Sequence, residues 1–215
     1  RWGYPSWKHL VNWRLYRRYS RGLLAELASH QLAIASWYFG AEPVSVHASG
    51  GTLHYKDGRE VNDHVFVTWT YPDGRTAEYV SIQTNAFAGH YEELHGTKGT
   101  LIMRNERDVL LFEESPAGGK PVATKVSSSP RDKGPVVKSS ATVPAGYGKA
   151  KEAPAARTAD TVNAYGEELA MFCRAVRAGT PLACGPERAA SSAAACLAAF
   201  DAIESKAWTQ VAKLV

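Results

Sequence analysis

The run His64-Val65-Phe66-Val67-Thr68-Trp69-Thr70-Tyr71, then Pro72-Asp73-Gly74, then Thr76-Ala77-Glu78-Tyr79-Val80-Ser81-Ile82 decides the fold. β-Branched and aromatic residues fill both halves. Alternation puts Val65, Val67, Trp69 and Tyr71 on one side of a strand and Phe66, Thr68 and Thr70 on the other. A Pro-Asp-Gly turn leaves no room for the dozen or more residues of a crossover, so the two runs form an antiparallel hairpin.

The same reading extends in both directions. Val44-Ser45-Val46-His47-Ala48 precedes the hairpin; Tyr91-Glu92-Glu93-Leu94-His95, Thr100-Leu101-Ile102-Met103 and Val109 to Phe112 follow it. Lys56-Asp57-Gly58 and Gly96-Thr97-Lys98-Gly99 supply further turns. Outside these strands the period changes. From Leu23 to Phe39, apolar residues and His30 recur at three and four, Ser20 stands ready to cap the start, and Gly40 follows the end. Two helices close the chain. Asp160 to Ala178 carries Val162, Tyr165, Leu169, Phe172 and Val176 at helical spacing, and Pro186 to Trp208 is alanine-rich with Pro in its first turn. Helix, sheet, helices is an α+β order: one large, mostly antiparallel, open-faced sheet with helices on one face. The uncovered face is semi-polar and is expected to pack on a second copy, as a homodimer or homotetramer.

The 215 residues are read as a single domain, 1–215, with two basic segments. The arm 1–22 interleaves Trp2, Tyr4, Trp7, Trp13, Tyr16 and Tyr19 with cations, and Gly3 and Pro5 point to an extended or irregular conformation. Residues 1–25 are +6, and residues 116–158, which hold six of the eleven prolines, are also +6. The chain as a whole is only +4, so the rest carries −8. A nucleic-acid binder with a uniformly basic surface is not built this way, and the arm alone is a poor basis for one. The stretch 116–158 is too poor in apolar residues to build a core and reads as a long surface excursion. No run of 18 apolar residues exists to span a membrane. Cys173, Cys184 and Cys196 form no CxxC pair and read as buried or incidental thiols. The scattered histidines show no metal-ligand spacing.

Candidate chemistry gathers at the N-terminal side. Glu26 and His30 are four apart on the first helix, within mutual reach, and a carboxylate beside an imidazole suits a general acid or base near neutral pH. Asn12, Trp13, Arg14, Tyr16 and Arg17 precede them, a mixture of rings and cations suited to a hydroxyl-rich or anionic substrate.

These residues carry a resemblance. Asn12-Trp13-Arg14-Leu15, then Ser20-Arg21-Gly22-Leu23-Leu24-Ala25-Glu26-Leu27-Ala28-Ser29-His30-Gln31 and Trp37-Tyr38-Phe39-Gly40, resemble the substrate-domain signature of the Gfo/Idh/MocA oxidoreductases. The segments Val44 to Ala48, Asp63-His64-Val65, Tyr71 to Gly74 and Gly96-Thr97-Lys98-Gly99-Thr100-Leu101 are similar to that family's sheet. The resemblance covers the chain except residues 116–158. It implies a dihydrodipicolinate-reductase-like C-terminal domain and hydride transfer between NAD or NADP and a sugar, inositol or related polyol. His30 would be the acid/base, Glu26 would orient it or bind substrate, and Asn12, Trp13, Arg14, Tyr16 and Arg17 would be the substrate contacts.

Departures from the pattern are equally plain. No GxGxxG follows a strand, Gly146-Tyr147-Gly148-Lys149 has no strand-to-helix context, and the family's Glu-Lys-Pro is absent. NAD or NADP is therefore expected to bind a preceding Rossmann half, outside a chain that opens on Arg1 and is inactive by itself. Ala33 and Arg21 replace an acid and a glycine common in relatives. Two other readings stand beside the dehydrogenase: a non-redox carbohydrate-binding or oligomerisation module, and an NAD-assisted glycoside hydrolase or epimerase of the same family.

Overall fold

Alternation along residues 64–82 produces the hairpin it predicts. In the computed structural model, which describes residues 3–84, 91–104, 108–113, 122–125, 151–152, 164–182 and 184–213, His64–Thr70 (β2) pairs antiparallel with Thr76–Ile82 (β3), from His64 opposite Ile82 to Thr70 opposite Thr76. Val65, Val67 and Trp69 are buried while Phe66 is exposed, the two-sided pattern read from sequence. Ser45–Gly51 (β1) pairs with the other edge of β2, and Thr209–Gln210 (β9) adds a short strand beyond it. The sheet order is β3-β2-β1-β9, antiparallel throughout.

This sheet belongs to the first of two compact units, residues 1–86 with 179–215; the second is 87–178. Within the first, the helices cover one sheet face. A short helix Trp7–Val11 (α1) opens the chain, a π-helical turn at Leu24–Ala28 leads into Ser29–Phe39 (α2), and Gly40 ends α2 in the left-handed conformation at φ +63°. Leu23, Leu24, Ala28 and Leu32 meet Val46, Ala48, Val65, Val67 and Trp69 in one core. The long helix of the closing pair, which we number after the second unit's helix, completes that core.

In the second unit, Tyr91–Gly96 (β4), Gly99–Arg104 (β5), Asp108–Glu113 (β6), Val122–Lys125 (β7) and Lys151–Glu152 (β8) form a sheet in that order. Thr97-Lys98 closes the β4–β5 hairpin as a two-residue loop. All pairs are antiparallel except β7 with β8. The helix Ala164–Ala178 (α3) follows, and the first unit then resumes with Pro186–Ser205 (α4).

Gly185 is extended at the head of α4, Pro186 takes the first turn and Glu187 places a carboxylate near the positive end of the helix. Ala195, Ala198, Ala199 and Ala202 are buried, so α4 lies close on the sheet, and the Trp69 indole N–H donates to the Ala195 carbonyl at 3.1 Å.

Three features differ from the sequence reading. The strands pair, among the described residues, as a four-stranded and a five-stranded sheet instead of one broad one. β7 and β8 lie inside 116–158, where no strand was expected; the rest of that stretch, and residues 160–163 of the third helix, fall outside the described residues. A parallel pair of two residues from segments far apart in the chain leaves no local signature. Third, the arm, described from residue 3, is irregular as one of the two readings had it, but it contains a short helix. Ser6 sits extended ahead of α1 with its hydroxyl 2.8 Å from His9 Nδ1, a 3-10 turn follows at Trp13–Leu15, and the Glu60 N–H donates to the Leu15 carbonyl at 2.8 Å. Pro5 and Gly3 precede the helix and do not oppose it.

Asp63, buried at the entry to β2, organises the loop between β1 and β2. Its Oδ2 accepts N–H bonds from Leu53, His54 and Tyr55 at 3.0, 2.8 and 3.3 Å, and its Oδ1 lies 2.7 Å from His64 Nδ1. Burial pushes the carboxyl up, but the His64 ring and the three N–H groups outweigh it and hold the pKa down to about 2. A carboxylate lowered in the fold stabilises it fully above its unfolded value near 3.8, and that contribution disappears as pH falls from there through about 2. Asp63→Asn is expected to cost about 1.5–3 kcal/mol at neutral pH. Urea denaturation between pH 2 and 7 should show a shallower acid loss of stability in the variant than in the wild type.

Candidate active site

The polypeptide turns sharply before α2. Gly22 has φ +59°, and a Cβ there would lie 2.8 Å from Val61 Cβ, so only glycine fits both the backbone and the space. The Gly22 N–H donates to Ser20 Oγ at 3.0 Å, and the Ser20 hydroxyl donates to Glu26 Oε1 at 3.0 Å. Ser20 thus closes the turn ahead of the helix and ties it to the first-turn acid, but it does not cap the helix itself, where no side-chain cap bond forms. The next turn is π-helical, with the Ser29 N–H reaching the Leu24 carbonyl five residues back. Such widened turns occur frequently at functional sites.

The candidates separate into two groups. Glu26 Oε2 accepts from Arg14 Nε at 3.0 Å, and the Arg14 guanidinium lies 4.4 Å from the Trp13 ring centroid. Arg14, Trp13 and Glu26 are therefore brought together. Asn12 and Tyr16 serve the arm itself. The Asn12 amide donates to the Lys8 carbonyl at 3.1 Å, and Tyr16 is buried and stacked on His9 at 4.3 Å. Arg17 fastens the arm to the body, donating from its backbone N–H to Glu60 Oε2 at 3.0 Å and from Nε to the Glu60 carbonyl at 2.8 Å, with an ion pair to Glu204. It also lies over the Phe200 ring.

His30 stands apart from this cluster. Both Glu26 oxygens are engaged by Arg14 and Ser20, and no hydrogen bond joins Glu26 to His30 among the described residues. His30 is exposed on the wall of a groove of about 600 Å³ between the first helical segment and α4. Ile34 and Trp37 continue the His30 side; Arg188, Ser192, Cys196 and Leu197 form the opposite wall. Burial pushes the Cys196 thiol up to about 12, so it stays protonated and packs as a small apolar group. The α4 wall was missed from sequence. Its signal was available: Arg188 and Ser192, polar and four apart, interrupt a helix otherwise rich in alanine.

Chemically, the groove pairs a solvent-accessible imidazole with an apolar surface and the half-exposed Trp37 ring, a combination suited to a substrate with both C–H faces and hydroxyls. Among the described residues, no glycine-rich turn links a strand to a helix N-terminus. No described helix is long and apolar enough to cross a membrane.

Residues 1–102 match the family model described as GFO/IDH/MocA C-terminal domain. Over these 102 residues the chain is similar to that domain. No curated protein matches the chain in sequence. Solved structures share its fold at low identity. Levoglucosan dehydrogenase in complex with NADH and levoglucosan is 20% identical with a TM-score of 0.68, over 95% of this chain and 54% of that one. An NAD binding oxidoreductase from Klebsiella pneumoniae is 16% identical with a TM-score of 0.68, over 94% and 54%. Aldose-aldose oxidoreductase from Caulobacter crescentus, complexed with glycerol, is 18% identical with a TM-score of 0.57, over 93% and 50%. The chain spans about half the length of these proteins.

The start of the first helical segment depends on Gly22 to bring Ser20, Glu26 and Arg14 together. Gly22→Ala is expected to destabilise by at least about 1–2 kcal/mol, the cost of an L-residue in the left-handed region before any clash with Val61. Thermal denaturation of the variant against the wild type measures it.

Proposed function

We propose that this chain is the substrate-binding half of an NAD- or NADP-dependent oxidoreductase acting on a sugar, inositol or related polyol. The observation that carries the reading is the exposed imidazole of His30 on the groove wall, in a chain whose first 102 residues match the GFO/IDH/MocA C-terminal domain. Two solved proteins of this fold support a polyhydroxylated substrate: levoglucosan dehydrogenase, in complexes with NADH and levoglucosan or L-sorbose, and aldose-aldose oxidoreductase, complexed with glycerol.

His30 exchanges a proton with the substrate hydroxyl that becomes, or comes from, a carbonyl. The nicotinamide, held outside this chain, supplies the hydride chemistry. Arg14, carried on Trp13 and fixed by Glu26, forms a polar rim that binds substrate hydroxyls. Asn12, Tyr16 and Arg17 support that rim by holding the arm. Glu26 acts through Arg14 and Ser20 and is a positioning residue.

In the enzyme that contains this chain, His30→Ala is expected to lower kcat by about 10²–10⁴-fold, the range for a lost acid/base, and Glu26→Gln by less. Turnover retained by His30→Ala sinks the role. The absence of a Glu26–His30 bond favours a second reading, a carbohydrate-binding module without redox chemistry. Polyol binding with no turnover under either nicotinamide cofactor would select it.

The exposed face of the first sheet supports a second copy as partner. Phe66 and Val80 are paired across β2 and β3, Ile82 lies beside His64, and all three apolar residues are 38–57% exposed. Sedimentation equilibrium is expected to show a dimer or tetramer that Phe66→Glu with Val80→Lys converts to monomer. A wild-type monomer at micromolar concentration removes this partner.

A further inference from the structure

We propose that the groove between α2 and α4 binds a carboxylate on Arg188 and Ser192, so that the substrate is a polyhydroxy acid and not a neutral sugar. The inference deepens the polyol reading and rests on the groove being the substrate site.

Ser192 is only 2% exposed, it lines the groove, and its hydroxyl has no hydrogen-bond partner among the described residues. A serine inside a helix ordinarily satisfies that hydroxyl on the carbonyl four residues back. Ser192 does not. One turn earlier, Arg188 lines the same groove, and its Nη1 is likewise buried without a partner. Two donors four apart share one face of α4. Around them the lining is Ala189, Ala193, Cys196 and Leu197, with Ile34 and Trp37 opposite, and no lining residue is acidic.

An unpaired guanidinium donor in apolar surroundings is costly, and nothing among the described residues relieves it. The occupant that does so carries a negative charge and accepts two hydrogen bonds from neighbouring donors. A carboxylate meets both demands: one oxygen takes the guanidinium N–H and the other the hydroxyl. A phosphate dianion would find only one cation here. His30, across the same groove, is placed for the hydroxyl-bearing part of the molecule. Anchor and acid/base on opposite walls define a hydroxylated chain ending in a carboxylate.

The test is an NMR titration of the 215-residue chain with D-gluconate, D-glucitol and propionate, following the Arg188 Nε–H and backbone amide resonances. Gluconate and glucitol differ only in carboxylate against alcohol at one carbon. Gluconate is expected to bind at least about tenfold more tightly than glucitol, the scale of a charged hydrogen bond. Arg188→Gln should reduce that preference to about twofold or less, and Ser192→Ala should weaken gluconate alone. Circular dichroism checks the fold; should Arg188→Gln unfold, Arg188→Lys decides, with at least about threefold of the preference lost together with the planar fork.

Equal affinity for gluconate and glucitol overturns the carboxylate assignment and leaves the polyol reading intact. Propionate binding as tightly as gluconate and lost in Arg188→Gln, with glucitol not bound, keeps the carboxylate site but removes the polyol reading; an acidic protein side chain is then the occupant. A gluconate preference that persists in Arg188→Gln, or binding of neither acid, overturns the proposal.

Discussion

The first unit depends on α4 lying flat and close on the strand face. Its buried positions Ala195, Ala198, Ala199 and Ala202 contribute almost no side-chain depth, so the helix backbone comes near enough for Trp69 to donate its indole N–H to a main-chain carbonyl inside the helix. That bond satisfies the one polar atom of the largest buried side chain, which would otherwise make Trp69 an expensive core residue. Cys196 and Phe200 fill what the alanines leave, and Val46, Val65 and Val67 face them from β1 and β2. Larger residues at the alanine positions would lift the helix and lose both the bond and the packing.

The same closeness creates the groove. Leu24, Ala28 and Leu32 share the core with α4, and beside it the groove is lined by Ala33, Ala189 and Ala193, which give little to fill the space. His30 and Trp37 project from one wall and Arg188 from the other. Stability and site therefore draw on the same small residues, deep ones for packing and shallow ones for room.

The arm is a separate device joined to that frame. Its cations are mostly spoken for: Arg14 by Glu26, Arg17 by Glu60 and Glu204, and Arg21 lies 4.7 Å from the Phe200 ring centroid. A segment whose +6 looks like a docking surface in composition is in large part an internal fastening. The π-turn at Leu24–Ala28 joins the two devices, delivering Glu26 to the arm and His30 to the groove.

Much of this was legible in the amino-acid order. Period-two runs and their turns placed β2 to β6 within a residue and the start of β1 likewise, though β1 runs three residues further, to Gly51; Gly40 and Pro186 marked a helix end and a helix start, and the inward set of β2 was read correctly, because these depend on neighbours in sequence. His30 was legible as a titratable group on a helix near cations for the same reason. Three-dimensional packing decided the rest. Both oxygens of Glu26 are taken by Arg14, twelve residues earlier, and by Ser20, so the expected i, i+4 partnership with His30 does not form. Arg17 fastens the arm to partners far along the chain, Glu60 and Glu204, while Tyr16 is buried against His9 within the arm. Arg188 and Ser192 came to line the groove only when α4 came to rest beside α2. Local propensity follows the spacing of residues; a binding surface depends on which distant segments are pressed together, and that is set by how the whole core closes.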